Sequence, residues 1–164
     1  MKPEFDANEY FLRLFRENRL CQELEFRPCY CSGIGGMEAV LAQFQTTANF
    51  IMVDDITAAG THEQPDGFYE RQTYTVFILM RYRHGDMRDY NEKIRTCRLI
   101  YHQFLSRILR DQDEEREPFI ETLITSNILS TELGRDAFTG LTGMYFHIDN
   151  DEPLDIVYCQ QDWV

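Results

Sequence analysis

The feature that most constrains the fold is an apolar strand followed directly by a long amphipathic helix. The segment "RQTYTVFILMRY" (71–82) is rich in β-branched and aromatic residues and contains neither Gly nor Pro, which predicts a β-strand. Residues 76–80 are apolar on both faces, so we expect this strand to be central and covered on both sides.

The helix is predicted over about 86–110, because its apolar residues recur at alternating spacings of 3 and 4. The stripe consists of Met87, Tyr90, Ile94, Cys97, Tyr101, Phe104 and Ile108. We expect it to pack on the protein's own sheet, since about three heptads are the lower limit for a coiled coil. Val76, Ile78 and Phe104 are therefore predicted core residues.

Two shorter helices are predicted near the N-terminus. Asp6 is placed to cap the amide of Glu9, and an apolar stripe from Tyr10 to Phe15 follows, with an end near Asn18. A second stripe, with apolar residues at i, i+3, i+4 and i+7, predicts another core-facing helix over 37–44.

The remaining segments are predicted to be strands and turns. "LEFRPCYC" (24–31) is an irregular or edge segment because of Pro28, and "NFIMVDDI" (49–56) is a buried strand that pairs antiparallel with 71–82. "TAAGTHEQPDGFYE" (57–70) is predicted to be a long loop with "PDG" as its turn.

The C-terminal half is predicted to hold further strands. We expect a helix turn after Pro118 and a strand over 127–133. "GRDAFTG" (134–140) and "NDEP" (150–153) are predicted turns on either side of the strand "LTGMYFHID" (141–149), and "LDIVYC" (154–159) is a short last strand.

This order predicts a single α+β domain over residues 1–164. We expect an antiparallel or mixed sheet with the long amphipathic helix packed on one face and short N-terminal helices. A hydrophobic fraction of 43% is enough for a sizeable core.

The net charge of the chain limits the classes of partner that it can bind. A formal net charge of -12 argues against tight binding of nucleic acid or of an anionic membrane, since both need a positive surface. No run of about 20 apolar residues is present to span a bilayer, and the N-terminus has no apolar signal core. Five cysteines, an odd number, favour a reducing cytoplasm over a disulfide framework.

The stretch "CYCSGIGGMEAVLAQF" (29–44) suggests two kinds of site, and neither has the required pattern. Cys29 and Cys31 are one residue apart and have no second pair, so buried thiols are the better interpretation than zinc ligands. Gly33, Gly35 and Gly36 are not followed by the Lys of a phosphate-binding loop, and we interpret them as a flexible entry to the next helix.

Other candidate chemistry is equally weak. The acids Asp149, Asp151, Glu152 and Asp155 lack the calcium-loop pattern and are interpreted as a solvated turn. Asp54 and Asp55, at the end of strand 49–56, could coordinate a divalent metal but are expected to meet water where the strand leaves the core. No nucleophile motif is present, and a Cys–His pair assembled only in the fold stays open. We therefore expect no cofactor, no metal and no catalytic residue.

Three segments resemble phage tail-terminator and head-to-tail completion proteins in their order and character. They are the strand "RQTYTVFILMRY", the helix "RDYNEKIRTCRLIYHQFLSRIL" and the closing "ELGRDAFTGLTGMYFHID", and together they cover about half of the chain. The resemblance implies a small α+β domain with a structural role. It also implies a ring of identical copies at the end of a tail tube, contacts with other tail or head proteins, and a place in the host cytoplasm or the virion.

The aromatic segment 57–70 is the predicted self-association surface. His62, Asp66, Phe68 and Tyr69 bring aromatic and polar side chains together, and such mixtures are common in interfaces. The alternative is that Phe68 folds back onto its own sheet. The alternative function is an enzyme or small-ligand domain whose site is built from dispersed residues.

Overall fold

In a computed structural model of the protein, residues 5–31, 33, 39, 49–116, 118–138 and 140–164 are described. Within them lie helices α1 (Ala7–Glu17), α2 (Arg19–Glu23) and α3 (Met87–Asp113), and strands β1 (Phe26–Cys31), β2 (Asn49–Gln64), β3 (Gly67–Arg81), β4 (Leu123–Phe138) and β5 (Leu141–Leu154). Single turns of 3₁₀ helix cover Ile120–Thr122 and Gln160–Asp162. The predicted helix over 37–44 falls outside the described residues.

The strands form one five-stranded mixed sheet in the order β1-β2-β3-β5-β4. β1 pairs parallel with β2, and the other neighbours are antiparallel. The predicted α+β class is confirmed, as are the antiparallel pairing of 49–56 with 71–82 and the edge position of the segment that contains Pro28. β5, the last strand along the chain, lies between β3 and β4.

The helices cover one face of the sheet, which we call the helix face. α1 begins where Asp6 accepts a 2.9 Å hydrogen bond from the Glu9 amide, and Asn18 ends it, as predicted. Val76, Ile78 and Phe104 are buried in the same apolar cluster on this face, which confirms them as core residues.

α3 follows the predicted period closely. Asp86 caps its first turn by accepting hydrogen bonds from the amides of Arg88 and Asp89, and the helix ends at Asp113, three residues later than predicted. The stripe is buried at Ile94 and at each member through Ile108, whereas Met87 stays 41% exposed.

The opposite side of the sheet, which we call the second face, has an apolar cluster of its own. Phe50, Met52 and Leu79 are fully buried there, and Phe77 and Leu141 join them. The central strand β3 is therefore buried on both faces, which confirms its prediction from sequence.

The predicted loop over 57–70 is wrong. β2 continues to Gln64, a tight turn at Pro65 and Asp66 follows, and β3 begins at Gly67. The register runs without interruption from Ala58 opposite Thr73 to Gln64 opposite Gly67. The "PDG" turn was predicted, and Gly67, with a φ of 148°, supplies a backbone conformation that other residues rarely adopt.

The predicted turns at 134–140 and 150–153 are also wrong in extent. β4 runs on to Phe138, and β5 runs through the acidic residues to Leu154, while residues 155–159 form no strand. Pro153 is tolerated because β4 pairs with β5 no further than Asn150, so this end of β5 is an edge. A helical turn does follow Pro118, but the strand after it starts at Leu123.

Candidate assembly surface

The sheet continues beyond the helix-covered core as a three-stranded extension, which we call the arm. It consists of residues 58–64 of β2, 67–73 of β3 and 149–154 of β5. An irregularity between Asp54 and Ala58 separates the arm from the buried half of β2. The continuous cross-strand pairing explains why this largely polar sequence forms strands here.

Three of the four predicted association residues meet near the tip of the arm. His62 lies directly opposite Tyr69, with ring centroids 6.0 Å apart, and the Tyr69 hydroxyl donates a 2.7 Å hydrogen bond to Asp66. That hydrogen bond raises the pKa of Tyr69. Phe68, 39% exposed, points to the other side of the sheet, because side chains alternate along a strand.

An ionic cluster beside His62 was missed from the sequence. The Oδ2 atom of Asp151 lies 2.9 Å from Arg71, 3.3 Å from Gln64 and 3.4 Å from His62. The hydrogen bond to Asp151 raises the pKa of Arg71. The other carboxylate oxygen, Oδ1, is buried and has no hydrogen-bond partner among the described residues.

A small polar depression lies next to this cluster on the second face. It has a volume of about 300 Å³ and is lined by Thr73, Asn127, Leu129, His147 and Asp149. Nδ1 of His147 lies 2.9 Å from the Thr75 hydroxyl, and Thr73 donates a 2.6 Å hydrogen bond to Asp149. Asp149 is thus engaged by Thr73, and in the described part of the chain no carboxylate orients His147.

The residues considered for metal or phosphate binding have structural partners. Cys29 and Cys31 are buried on the second face, in the cluster with Phe50 and Met52, and burial raises the pKa of Cys29. The Gly33 amide donates a 3.0 Å hydrogen bond to Asp54. Gly35 and Gly36 fall outside the described residues. Among the residues described, no group of three or more His, Cys, Asp or Glu is arranged to hold a metal ion.

Three of the four acids predicted to form a solvated turn, Asp149, Asp151 and Glu152, belong to the arm instead, whereas Asp155 lies beyond it and is exposed. Asp149 and Asp151 are held by Thr73 and Arg71 on the second face, and Glu152 accepts a 2.9 Å hydrogen bond from the Phe5 amide on the helix face. These acids face opposite sides of a strand, so they do not converge as a calcium site requires.

The sheet has an open strand edge at each of its two lateral ends, among the strands described. β1 covers β2 only over Asn49 to Asp54, so the outer edge of residues 58–64 has no neighbouring strand among those described. On the far side, β4 is the other edge of the sheet. The β2 edge carries small or polar side chains, "AAGTHEQ", without the Lys or Pro that commonly protects an edge from pairing.

Charge is distributed unevenly between the helices and the sheet. The three helices contain nine basic and seven acidic residues, a net charge of +2 in a chain whose total is -12. The arm with its turn contains six acids and one base, Arg71. One end of the molecule is therefore strongly acidic, and the helical layer is the region that complements it.

In comparisons with known proteins, no protein-family model and no curated protein matches the chain. Among the described residues, no helix is long and apolar enough to cross a membrane.

Proposed function

We propose that the chain is a structural, ring-forming tail-completion protein of a phage or prophage, similar to tail terminators, with no catalytic activity. The observation that carries the proposal is the pair of open edges, the 58–64 edge of β2 on one side of the sheet and β4 on the other. A contact between two different surfaces of identical copies is head-to-tail, and it closes into a ring when the rotation allows.

Main-chain pairing supplies the physical basis of this contact. Exposed strand edges bind other chains by adding a strand, with backbone hydrogen bonds for affinity and side-chain pockets for specificity. The edge at residues 58–61 has exposed side chains no larger than Thr, so a neighbouring backbone can approach closely. Leu129, 64% exposed on β4, offers apolar area to the partner.

The acidic arm fits the same role. In a ring that faces a DNA channel, a negative wall repels the phosphate backbone and lets the duplex slide, because binding would need cationic side chains. The six acids of the arm make it the part of the molecule best suited to line such a channel.

The proposal is tested by the state of association in solution. Light scattering coupled to size-exclusion chromatography over a concentration series is expected to give a closed oligomer of defined mass, and electron microscopy is expected to show rings. Placing lysines at Ala58 and Ala59 should shift the protein toward monomers, since edge lysines oppose strand addition. Ser106→Lys, at an exposed position of α3, is the control for added charge and should leave the mass unchanged.

The predicted contribution of the arm tip is tested separately with Phe68→Asp and Tyr69→Asp. A folded oligomer indifferent to both substitutions would remove these residues from the interface. A strict monomer at every concentration, with no rings on addition of other tail components, would overturn the proposal as a whole.

The alternative is a small-ligand domain, and the depression beside His147 is the observation that favours it. Its volume of about 300 Å³ lies at the lower limit for ligand pockets. His147→Ala combined with a thermal-shift screen of small polar metabolites distinguishes the two functions. A ligand that stabilises the parent and not the variant would support the alternative.

A further inference from the structure

We propose that segment 155–164 of one copy docks in the groove between α1–α2 and α3 of a neighbouring copy and acts as a strap between them. This inference rests on the self-association proposed above and names a second contact within it. It starts from two surfaces that no other described part of the chain covers, an apolar segment and an apolar groove.

The segment is unusually apolar for its exposure. Ile156, Val157, Tyr158 and Trp163 are 53%, 82%, 70% and 69% exposed. Their contacts are local: Tyr158 stacks on Trp163 with centroids 6.3 Å apart, and the backbone bonds of the 3₁₀ turn stay within the segment. Exposed apolar groups this close together mark an interaction site more often than a free surface.

The groove has a volume of about 540 Å³. Its floor is apolar and consists of Leu14, Leu20, Leu99 and Phe104. Leu99 is 50% exposed, so an occupant would remove a leucine from water. The volume is in the range of pockets that hold aromatic side chains, and an aromatic anchor in such a pocket is the usual centre of a protein interface.

The charges of the two surfaces are compatible with this contact. The segment carries Asp155 and Asp162 and no basic residue. On the groove rim, Glu17 is bound by Arg107 at 2.9 Å, whereas Arg19 makes no ion pair with any described residue and is open to an incoming acid. Glu23 lies on the same rim, so the rim is neutral overall and does not repel the two acids of the segment.

Two residues of the segment can be used to detect this contact experimentally. Trp163 is its single tryptophan, and Cys159 is the exposed cysteine, the other four being buried. In the parent protein, Trp163 emission is expected to shift to longer wavelength on dilution through the association range, as the segment leaves the groove.

Two leucines of one helix give a matched pair of variants. Leu99→Ser and Leu109→Ser change side chains that are 50% and 51% exposed, and Leu99 alone lines the groove. Leu99→Ser should weaken association by up to about tenfold, or about 1.4 kcal/mol, since docking would bury the exposed half of the leucine side chain. Leu109→Ser should leave it unchanged. Equal effects of the two variants would overturn the strap.

Crosslinking decides whether the contact joins two copies. Unlabelled protein carrying a photoactivated crosslinker on Cys159 is mixed with ¹⁵N-labelled Cys159→Ser protein. The strap predicts crosslinks from unlabelled segment peptides to labelled peptides of residues 14–23 or 99–107. Crosslinks confined to unlabelled chains, which indicate that the segment folds back on its own groove, would overturn it, as would crosslinks elsewhere.

The mass of the parent protein separates the two proposals. An oligomer that forms normally while Trp163 stays exposed and no groove crosslink appears would refute the strap and leave the ring intact. A protein that stays monomeric at every concentration, and forms no rings on addition of other tail components, would refute the proposed association, and the strap with it.

Discussion

The hydroxyl of Tyr10 on α1 donates a 3.0 Å hydrogen bond to Asp111 at the end of α3, across 101 positions of sequence. Asp111 is only 1% exposed, and its other oxygen accepts a 2.8 Å bond from Arg107, which also binds Glu17 of α1. Burial and the neighbouring Asp111 carboxylate raise the pKa of Tyr10, so its hydroxyl remains a donor throughout the physiological range. A buried carboxylate with two donors thus fixes α1 against α3.

Arg107→Met tests this link. It keeps most of the side-chain stem but leaves the buried Asp111 without its cation, and we expect a loss of about 2–3 kcal/mol in the free energy of unfolding. That is less than the about 3–5 kcal/mol for a fully buried pair, because the Arg107 side chain is 35% exposed. The loss in free energy of unfolding is measured by urea denaturation of the variant and the parent. A midpoint equal to that of the parent would show that Asp111 is satisfied without Arg107.

Gly143 provides a second test, of backbone packing inside the sheet. A Cβ added there would lie 2.0 Å from the Ile78 carbonyl oxygen, and its φ of 144° is strained for any other residue. Gly143→Ala should therefore cost at least about 2 kcal/mol. Gly134→Ala, where nothing lies within 4 Å of the added atom, is the control and should be close to neutral. Similar midpoints for both variants would contradict the close approach of β5 to β3.

The cysteines are expected to differ sharply in reactivity. Burial raises the pKa of both Cys21 and Cys97 to about 12, so their thiolate fraction at pH 8 is negligible, whereas Cys159 is exposed. Ellman's reagent should titrate one thiol rapidly in the native protein and all five in denaturant. Cys159→Ser should abolish the rapid phase. A rapid phase that survives this substitution would show that a second thiol reaches solvent.

The cap of α3 predicts a dependence of stability on pH. Hydrogen bonds from the Asp89 amide first, and then the Arg83 charge, lower the pKa of Asp86 below its ordinary 3.8. The ionised form therefore stabilises the fold above that ordinary value, and the contribution is lost as the pH falls through the lower folded-state pKa.

Asp86→Asn isolates this contribution, because asparagine keeps the capping oxygen and removes the charge. The variant should unfold at lower urea than the parent at pH 7, and the two midpoints should converge as the pH falls through the lowered pKa of Asp86 and the carboxylate becomes protonated. A gap between the midpoints that does not change with pH would show that the charge contributes nothing.

The buried half of the molecule could be predicted from its sequence because its signals are local. The spacing of apolar residues in α3 and the apolar composition of β3 each predict which side chains are buried in the core. The arm could not be predicted in this way, since "TAAGTHEQ" has no large apolar residue on either face. Its strands are held by pairing that includes residues far along the chain. For the same reason, His62 and Tyr69 could be grouped from the sequence, because they lie close together along the chain. The ion pair of Arg71 with Asp151 could not, because 80 positions of sequence separate the two residues. The apolar segment after Leu154 was interpreted as a strand because sequence does not show whether a partner strand is present.

The position of β5 has a consequence for how the protein is made. β3 leaves the ribosome with β2 on one side and an open edge on the other, and about sixty residues separate its end from the first residue of β5. β4 cannot close that edge early, because it pairs with β5 and not with β3. The nascent chain thus exposes its most apolar strand for a large part of translation, and slow synthesis or crowding of polysomes would favour pairing between unfinished chains.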